Sequence, residues 1–467
     1  MQDVSFAQRL ISVVGVVVMM TCAWLLTNRS KNIPWRVVAW GFGLQLGFGF
    51  FVLKSDAGVW LFSQLNGVVA RLLSFTEDGA RFLFGSYVDQ EFTFALSVLP
   101  TIVFFSSLMT LLYHYGVMQR IVKGVAWVMQ LTMKTSGSET LCTASNIFVG
   151  QTEAPLVVRP FIAGMTRSEL MTVMVSGFAT VAGGVLAAYV GMLRHEFPNI
   201  AGHLIAASVM NAPAALIIAK IMIPETQVSQ TAGELRMHVE RPDVNGIDAA
   251  TRGAGDGMRL ALNVGAMLLA FVAIVAMINY LLGLPALWHN QAVWADAAQA
   301  LGRKSLAVPE GCLWPKDAPA YQACIEQAVR LGTLEVSHFN AWVPWSLQGA
   351  LGLVFWPFAF VMGVPFEDCS AVAALLGEKM VLNEFVAYKH LADNLQTAQA
   401  LQPRAATITA YALCGFANFS SVAIQIGGIG GLASERRADL AQLGLRAMLG
   451  GTLATFMTAC VAGLLIG

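Results

Sequence analysis

The chain has 467 residues, 56% of them hydrophobic and only 12% charged, and its mean hydropathy is +0.63. That is more apolar surface than a soluble core can hide, so the chain needs lipid as part of its solvent. Lys plus Arg and Asp plus Glu balance at 28 each, which removes the basic excess that a nucleic-acid partner requires.

Taken in chain order, runs long enough to cross about 30 Å of hydrocarbon occur at Leu10 to Thr27, Pro34 to Leu53, Phe92 to Tyr113, Leu170 to Leu193, Ala201 to Ile223, Met258 to Leu282 and Ala441 to Ile466. The first lacks a basic lead and is expected to be a retained membrane helix, not a cleaved signal. Between these runs lie apolar segments too short or too polar to span cleanly: Val59 to Phe75, Val117 to Met133, Ser145 to Ala163, Leu347 to Val364, Ala371 to Leu391 and Ala405 to Leu432. In the first of them Val59, Phe62, Leu65, Val69 and Leu72 recur at helical spacing, the pattern of a helix lying along the membrane interface.

Basic residues set the orientation. Arg29, Lys31, Arg36, Arg120, Lys123, Lys134, Arg167, Arg436 and Arg437 fall on one side if both termini are periplasmic, which suits a multi-pass protein of a bacterial inner membrane. By that count 225–256 is a flexible cytoplasmic connector and 285–340 an outer insertion. Within the insertion, Cys312 and Cys324 lie on the oxidising side, where a disulfide forms if their separation allows it. The other cysteines lie in or beside apolar runs, and the seven show no metal-ligand spacing.

Two polar constellations interrupt apolar surroundings. In Asn146 to Pro160, Asn146, Gln151, Thr152 and Glu153 set two amides, a hydroxyl and a carboxylate within eight residues, bracketed by the helix breakers Gly150 and Pro155. A carboxylate at membrane depth costs several kcal/mol, roughly, unless it is paired, protonated or wet. The pattern implies a re-entrant hairpin whose tip faces a ligand or cation. In Leu375 to His390, Glu378, Lys379, Asn383, Glu384 and Lys389 repeat the arrangement. Further on, Phe416, Asn418, Ser420, Ser421 and Gln425 mix with a run of glycines, and Thr180, Gly183 and Gly184 interrupt the corresponding helix of the first half. The same order therefore occurs twice: span, amphipathic segment, hairpin with a glutamate tip, interrupted helix, final span. The charge pattern puts the two tips on opposite sides, so the repeats are inverted, as alternating access around a midplane site requires.

The runs GQTEAP from Gly150, GEKMVLNEFVAY from Gly377 and GFANFSSVAIQIGG from Gly415 resemble the concentrative nucleoside transporter family, over nearly the whole chain except the outer insertion. The resemblance implies an all-α polytopic membrane protein with eight transmembrane helices, two re-entrant helical hairpins in inverted repeats and interfacial helices. It also implies elevator-type transport and scaffold domains and a homotrimer in the lipid bilayer. The divisions expected are 1–91 (scaffold and interfacial helix), 92–224 (first repeat, hairpin about 137–163) and 225–256 (connector). They continue with 257–284 (scaffold helix), 285–340 (insertion) and 341–467 (second repeat, hairpin about 367–393).

By the family pattern Gln151, Thr152 and Glu153 face the nucleobase, Val185 and Phe416 pack against it, and Glu384, Asn418 and Ser421 bind the ribose hydroxyls. Such a set of amides, hydroxyls and carboxylates can pair every polar group of a nucleoside, whose desolvation would otherwise be prohibitive. The family's sodium site maps onto Asn146, Val149, Thr180 and Val181, hard oxygen ligands for a hard cation. The expectation is a secondary active symporter that imports uridine, adenosine and related nucleosides on a sodium gradient, with no catalytic residue and no nucleic-acid partner. Proton coupling through Glu153 or Glu384, or a same-fold carrier for nucleobases or modified nucleosides, are the alternatives. An intramembrane enzyme is disfavoured because His114, His195, His203 and His390 form neither a metal pair nor a nucleophile-base spacing.

Overall fold

The computed structural model describes residues 6–27, 33–90, 94–233, 243–300, 313, 324, 345–397 and 400–466. These are helical wherever they are regular, and six helices among them are long and apolar enough to cross a bilayer. The elements open with α1 (Phe6–Leu25), α2 (Trp35–Lys54), α3 (Asp56–Phe84) and the short α4 (Tyr87–Gln90). They continue with α5 (Leu99–His114) and α6 (Val117–Met133), which meet at a 78° bend over Tyr115 and Gly116. Gly116 takes φ +74° there, a left-handed turn that glycine adopts without steric cost. The interfacial pattern at Val59 to Phe75 is the middle of α3, whose amphipathic character extends to Phe84.

The hairpin segment begins with α7 (Gly137–Asn146), turns through 147–153, and returns by a 3-10 turn Ala154–Val158 and α8 (Arg159–Ile162). A helix broken into α9 (Arg167–Ala179) and α10 (Gly183–Leu193) follows, then α11 (Ile200–Met222). After α12 (Gly246–Ala300) and α13 (Leu347–Val361), the same order returns. A second hairpin, α14 (Cys369–Val381) and α15 (Glu384–Leu395), precedes a broken helix, α16 (Pro403–Leu413) and α17 (Phe419–Leu432), and then α18 (Arg437–Leu465).

Two compact units divide the chain. The larger holds 1–266 and 355–467, and 267–354 forms the other. In the larger unit α9, α11 and α18 pack on one another and are buried nearly throughout, whereas α1 and α2 have only about a third of their residues buried or fewer. Apolar faces left open on outer helices cost nothing against lipid tails. In the smaller unit Asn279 ties α12 to α13, accepting from Leu347 N at 2.8 Å and donating to Gln348 at 2.9 Å.

The connector and insertion differ from the sequence reading at their helical ends. The stretch read as flexible through Asp256 is helical from Gly246, because Asn245 caps the helix by accepting from Asp248 N at 2.9 Å, and Arg252 reaches back to Asp243 at 2.6 Å. Composition suggested a loop, but these two local contacts favour the helix. The helix also runs past Leu282 and through Pro285 to Ala300. Most of 285–340, including Cys312, lies outside the described residues; Cys324 is disulfide-bonded.

Candidate functional site

The two helix breaks meet. Asn211 of α11 donates from its one amide nitrogen to Ala179 O at 2.7 Å, the end of α9, and to Cys414 O at 2.8 Å, just past α16. Gly415 lies against the same place: a Cβ on it would stand 2.8 Å from both the Phe178 and Ala179 carbonyls. Broken helices leave carbonyls unpaired at membrane depth, and Asn211 satisfies one from each break.

Glu384 sits beside this junction. It is the first residue of α15, only 3% exposed, and its carboxylate accepts from Tyr189 Oη at 2.9 Å and from Asn418 Nδ2 at 2.8 Å. Asn383 caps α15 by accepting from Val386 N at 3.1 Å, and Asn418 caps α17 by accepting from Ser421 N at 2.8 Å. Two helix N-termini thus converge on one carboxylate, and their dipoles favour its negative charge. Lys379 of α14 lies within electrostatic reach of Glu384 and donates to Ala412 O at 2.9 Å and to Thr455 Oγ1 at 3.3 Å. Tyr189 is held by stacking on Tyr388, with ring centres 4.4 Å apart, and by edge contact with Phe385 at 4.9 Å. Val185 is buried one turn before Tyr189 on α10.

The first hairpin tip reaches the far half of α17. Gln425 Nε2 donates to Gln151 Oε1 at 3.0 Å, and Thr152 packs on Gly428, where a Cβ would stand 2.6 Å from the threonine methyl. Asn418, Ser421, Gln425 and Gly428 form one face of α17, and the ten helical steps from Asn418 to Gly428 span about 15 Å. One helix face therefore carries the contacts of both hairpin tips. Phe416, half-buried, lies in the break before it. Glu153 is exposed and stands apart from this line, folded over Gly150 and within electrostatic reach of Tyr113 and Asp256.

The expected cation ligands are brought together by the contact between the first tip and the first break. Gly183 N donates to Phe148 O at 2.9 Å, and Asn146 Nδ2 donates to Ser176 Oγ at 3.0 Å. Thr180, its hydroxyl on Ser176 O at 2.8 Å, and Val181 occupy the break itself, both buried. Asn146 Oδ1 is buried and accepts no hydrogen bond among the described residues. A buried amide oxygen without a donor costs about 1–3 kcal/mol, and a cation would satisfy it.

Tyr189, Asn211 and Ser176 were not singled out from the sequence. Tyr189 sits in an apolar run with nothing to mark it, whereas Asn211, an amide two residues before Pro213 in an apolar span, is the one with a readable signal. Among the described residues no group of three His, Cys, Asp or Glu side chains could hold a metal ion.

Comparison with known proteins bears on the whole chain. A family model described as Na+ dependent nucleoside transporter C-terminus matches residues 203–307 and 320–463, and its N-terminal counterpart matches 14–87. A third, described as Gate: Nucleoside recognition, matches 95–196. The uncharacterized transporter YutK of Bacillus subtilis is 39% identical over 97% of this chain and 98% of its own length. Sodium/nucleoside cotransporter 1 of Mus musculus is 38% identical over 98% of this chain, which spans 64% of that longer protein. The structure of CNTnw in an inward-facing substrate-bound state matches with a TM-score of 0.79 and 38% identity over 98% of this chain and 97% of that one. CNTnw in an outward-facing state, carrying two substitutions, matches at 0.81 and 37% identity over 99% and 98%.

Proposed function

The chain belongs to the Na+-dependent nucleoside transporter family, a family of carriers and not of enzymes, and from that premise we propose that it imports nucleosides by symport with sodium. The observation that carries the reading is the shared face of α17. It holds the buried Glu384 carboxylate at one end through Asn418 and the amide of Gln151 at the other through Gln425. A ribose offers vicinal hydroxyls to a carboxylate, and a base offers carbonyl and imino groups to an amide, so the two ends suit the two halves of a nucleoside. In this reading Glu384, Asn418 and Ser421 take the sugar, Gln151, Thr152 and Glu153 take the base, and Val185 and Phe416 flank it. The orphaned Asn146 Oδ1, with carbonyl oxygens of Val149, Thr180 and Val181, receives the sodium ion. Transport is by alternating access of an elevator type within a homotrimer of a bacterial inner membrane.

The test is uptake of radiolabelled uridine and adenosine into proteoliposomes under an inward sodium gradient, for the wild type and Glu384→Gln. Accumulation that needs the gradient and is lost in the variant supports the proposal. An unchanged rate with choline in place of sodium at fixed pH turns the coupling ion into a proton. Absence of accumulation of either nucleoside by a folded protein refutes the substrate assignment and moves the search to nucleobases and modified nucleosides. Mass measurement of the detergent-solubilised protein tests the trimer.

A further inference from the structure

Gln425 is fully buried, and its amide orientation is dictated from behind. Its Nε2 lies 3.0 Å from Met174 O, and a carbonyl only accepts, so the amide nitrogen and not the oxygen must face it. The second hydrogen of the same nitrogen goes to Gln151 Oε1 at 3.0 Å. That contact consumes the acceptor end of Gln151. Its Nε2 makes no hydrogen bond among the described residues, which leaves the hairpin tip with a donor to offer. Gly177 makes the arrangement possible, since a Cβ there would stand 2.7 Å from Gln425 Nε2 and 3.0 Å from Gln151 Cβ.

We propose that Gln425 is a positioning residue that fixes the polarity of the Gln151 amide, so that the first hairpin tip presents an N–H donor and selects bases carrying a hydrogen-bond acceptor on the facing edge. The chain of constraint runs from Met174 O through Gln425 to Gln151, each step fixing the next. The inference rests on the nucleoside reading and adds to it a direction of hydrogen bonding. A site built to donate loses an unpaired donor's worth of affinity when the ligand lacks the acceptor, which is about tenfold or more.

The experiment measures equilibrium binding to the purified protein by calorimetry, with transport KM and kcat alongside. The probes are uridine, cytidine, 2′-deoxyuridine and the phenyl ribonucleoside, whose ring carries no acceptor. In Gln425→Met the Gln151 amide is free to turn, and the preference for uridine over the phenyl ribonucleoside is expected to fall about tenfold. The ratio of uridine to 2′-deoxyuridine, read at the Glu384 end, stays unchanged, and the loss falls on KM while kcat is kept. In Gln425→Glu the single carboxyl hydrogen is taken by Met174 O, so the group can only accept from Gln151, which turns its nitrogen inward and its oxygen to the base. The preference then moves from uridine toward cytidine, which carries an amino group where uridine has a carbonyl. Either variant alone suffices if the other does not fold. Base and sugar ratios falling together, or a base ratio unaltered, would overturn the positioning role while leaving the transporter reading intact. A wild-type protein that binds none of the ribonucleosides would overturn that reading and this inference with it.

Discussion

Replacing Lys379 by methionine tests whether the second hairpin is held by charge. The lysine is buried, and its ammonium group donates to Ala412 O at 2.9 Å and to Thr455 Oγ1 at 3.3 Å, with Glu384 in electrostatic reach. Lys379→Met keeps most of the stem volume but removes both hydrogen bonds. Each bond from a charged donor contributes about 1.5–3 kcal/mol, and the Ala412 carbonyl near the end of α16 is left buried without this donor. Glu384 also loses the positive charge that offsets its burial, so the total cost is about 3–5 kcal/mol. If that last term is real, it must couple. Adding Glu384→Gln to the lysine variant removes the uncompensated carboxylate, and the double variant should recover about 1–2 kcal/mol relative to the sum of the singles. Fluorescence-monitored unfolding of the detergent-solubilised protein reads all four proteins in one cycle, and uridine binding reads the site. Strict additivity of the two changes would refute the electrostatic part of the argument. A Lys379→Met protein as stable as the wild type would refute all of it.

Asn146→Ala deletes a buried acceptor at the first tip that has no donor among the described residues, and proteoliposome uptake is expected to lose its response to the sodium gradient while stability changes little. Gly415→Ala drives a methyl to within 2.8 Å of two backbone carbonyls at the crossing of the breaks, and uptake should fall by at least tenfold with a lowered unfolding temperature. At the start of α12 the Arg252 guanidinium holds the Asp243 carboxyl below its ordinary range. A depressed carboxylate contributes above its unfolded pKa, and the contribution is lost only as pH falls through the lower folded value. The helix start should therefore be insensitive to pH between 5 and 8 and loosen in stronger acid. Asp243→Asn should speed amide exchange at residues 244–252 at neutral pH, by a factor of a few, since the Arg252 side of the pair is exposed.

Much of this architecture is written in the cost of polarity at membrane depth. Glu153, Glu384, Asn146 and Asn418 stood out in the sequence because lipid-facing helices do not carry them, and each occupies a tip or a cap. The interruptions at Thr180 to Gly184 and at Phe416 to Ser421 were legible for the same reason and are the breaks α9/α10 and α16/α17. Pairings over long separations left no local trace. Tyr189 and Glu384 are 195 residues apart, and Gln151 and Gln425 are 274 apart, so only the fold reveals which amide meets which. The start of α12 was misread because Gly and Asp are common in loops, and the Asn245 cap that overrides them is one residue in a polar stretch. Glu153 and Glu384 look alike as tip carboxylates in sequence, yet Glu384 is enclosed by two donors and Glu153 is exposed over Gly150. Spacing along the chain carries no information about that difference.

The two hairpins are fastened unequally along their length. At the base of the first, Thr166 and Glu169 form a capping box, Ser136 N donates to Glu139 at 2.9 Å, and Lys220 pairs with Glu139 at 2.7 Å in a buried setting. Thr231 binds across to Gly137 N and Ser138 N, so the segment after α11 closes the same base. At the base of the second, the buried Arg404 donates to Gly363 O at 3.0 Å, Gly463 O at 2.7 Å and Ile466 O at 2.7 Å, gathering the ends of α13 and α18. Hydrogen bonds to charged groups are worth about 1.5–3 kcal/mol each, whereas the neutral amide bond between Gln151 and Gln425 is worth about 0.5–1.5. The first tip is therefore held more weakly than either base. The glutamate tip of the second hairpin, held by a tyrosine and an asparagine that each donate to its charge, is the stiffer of the two tips. Under the proposed assignment the second hairpin offers a fixed carboxylate to the sugar, and the first, held at its tip by one neutral amide bond, is the one that meets the varying base.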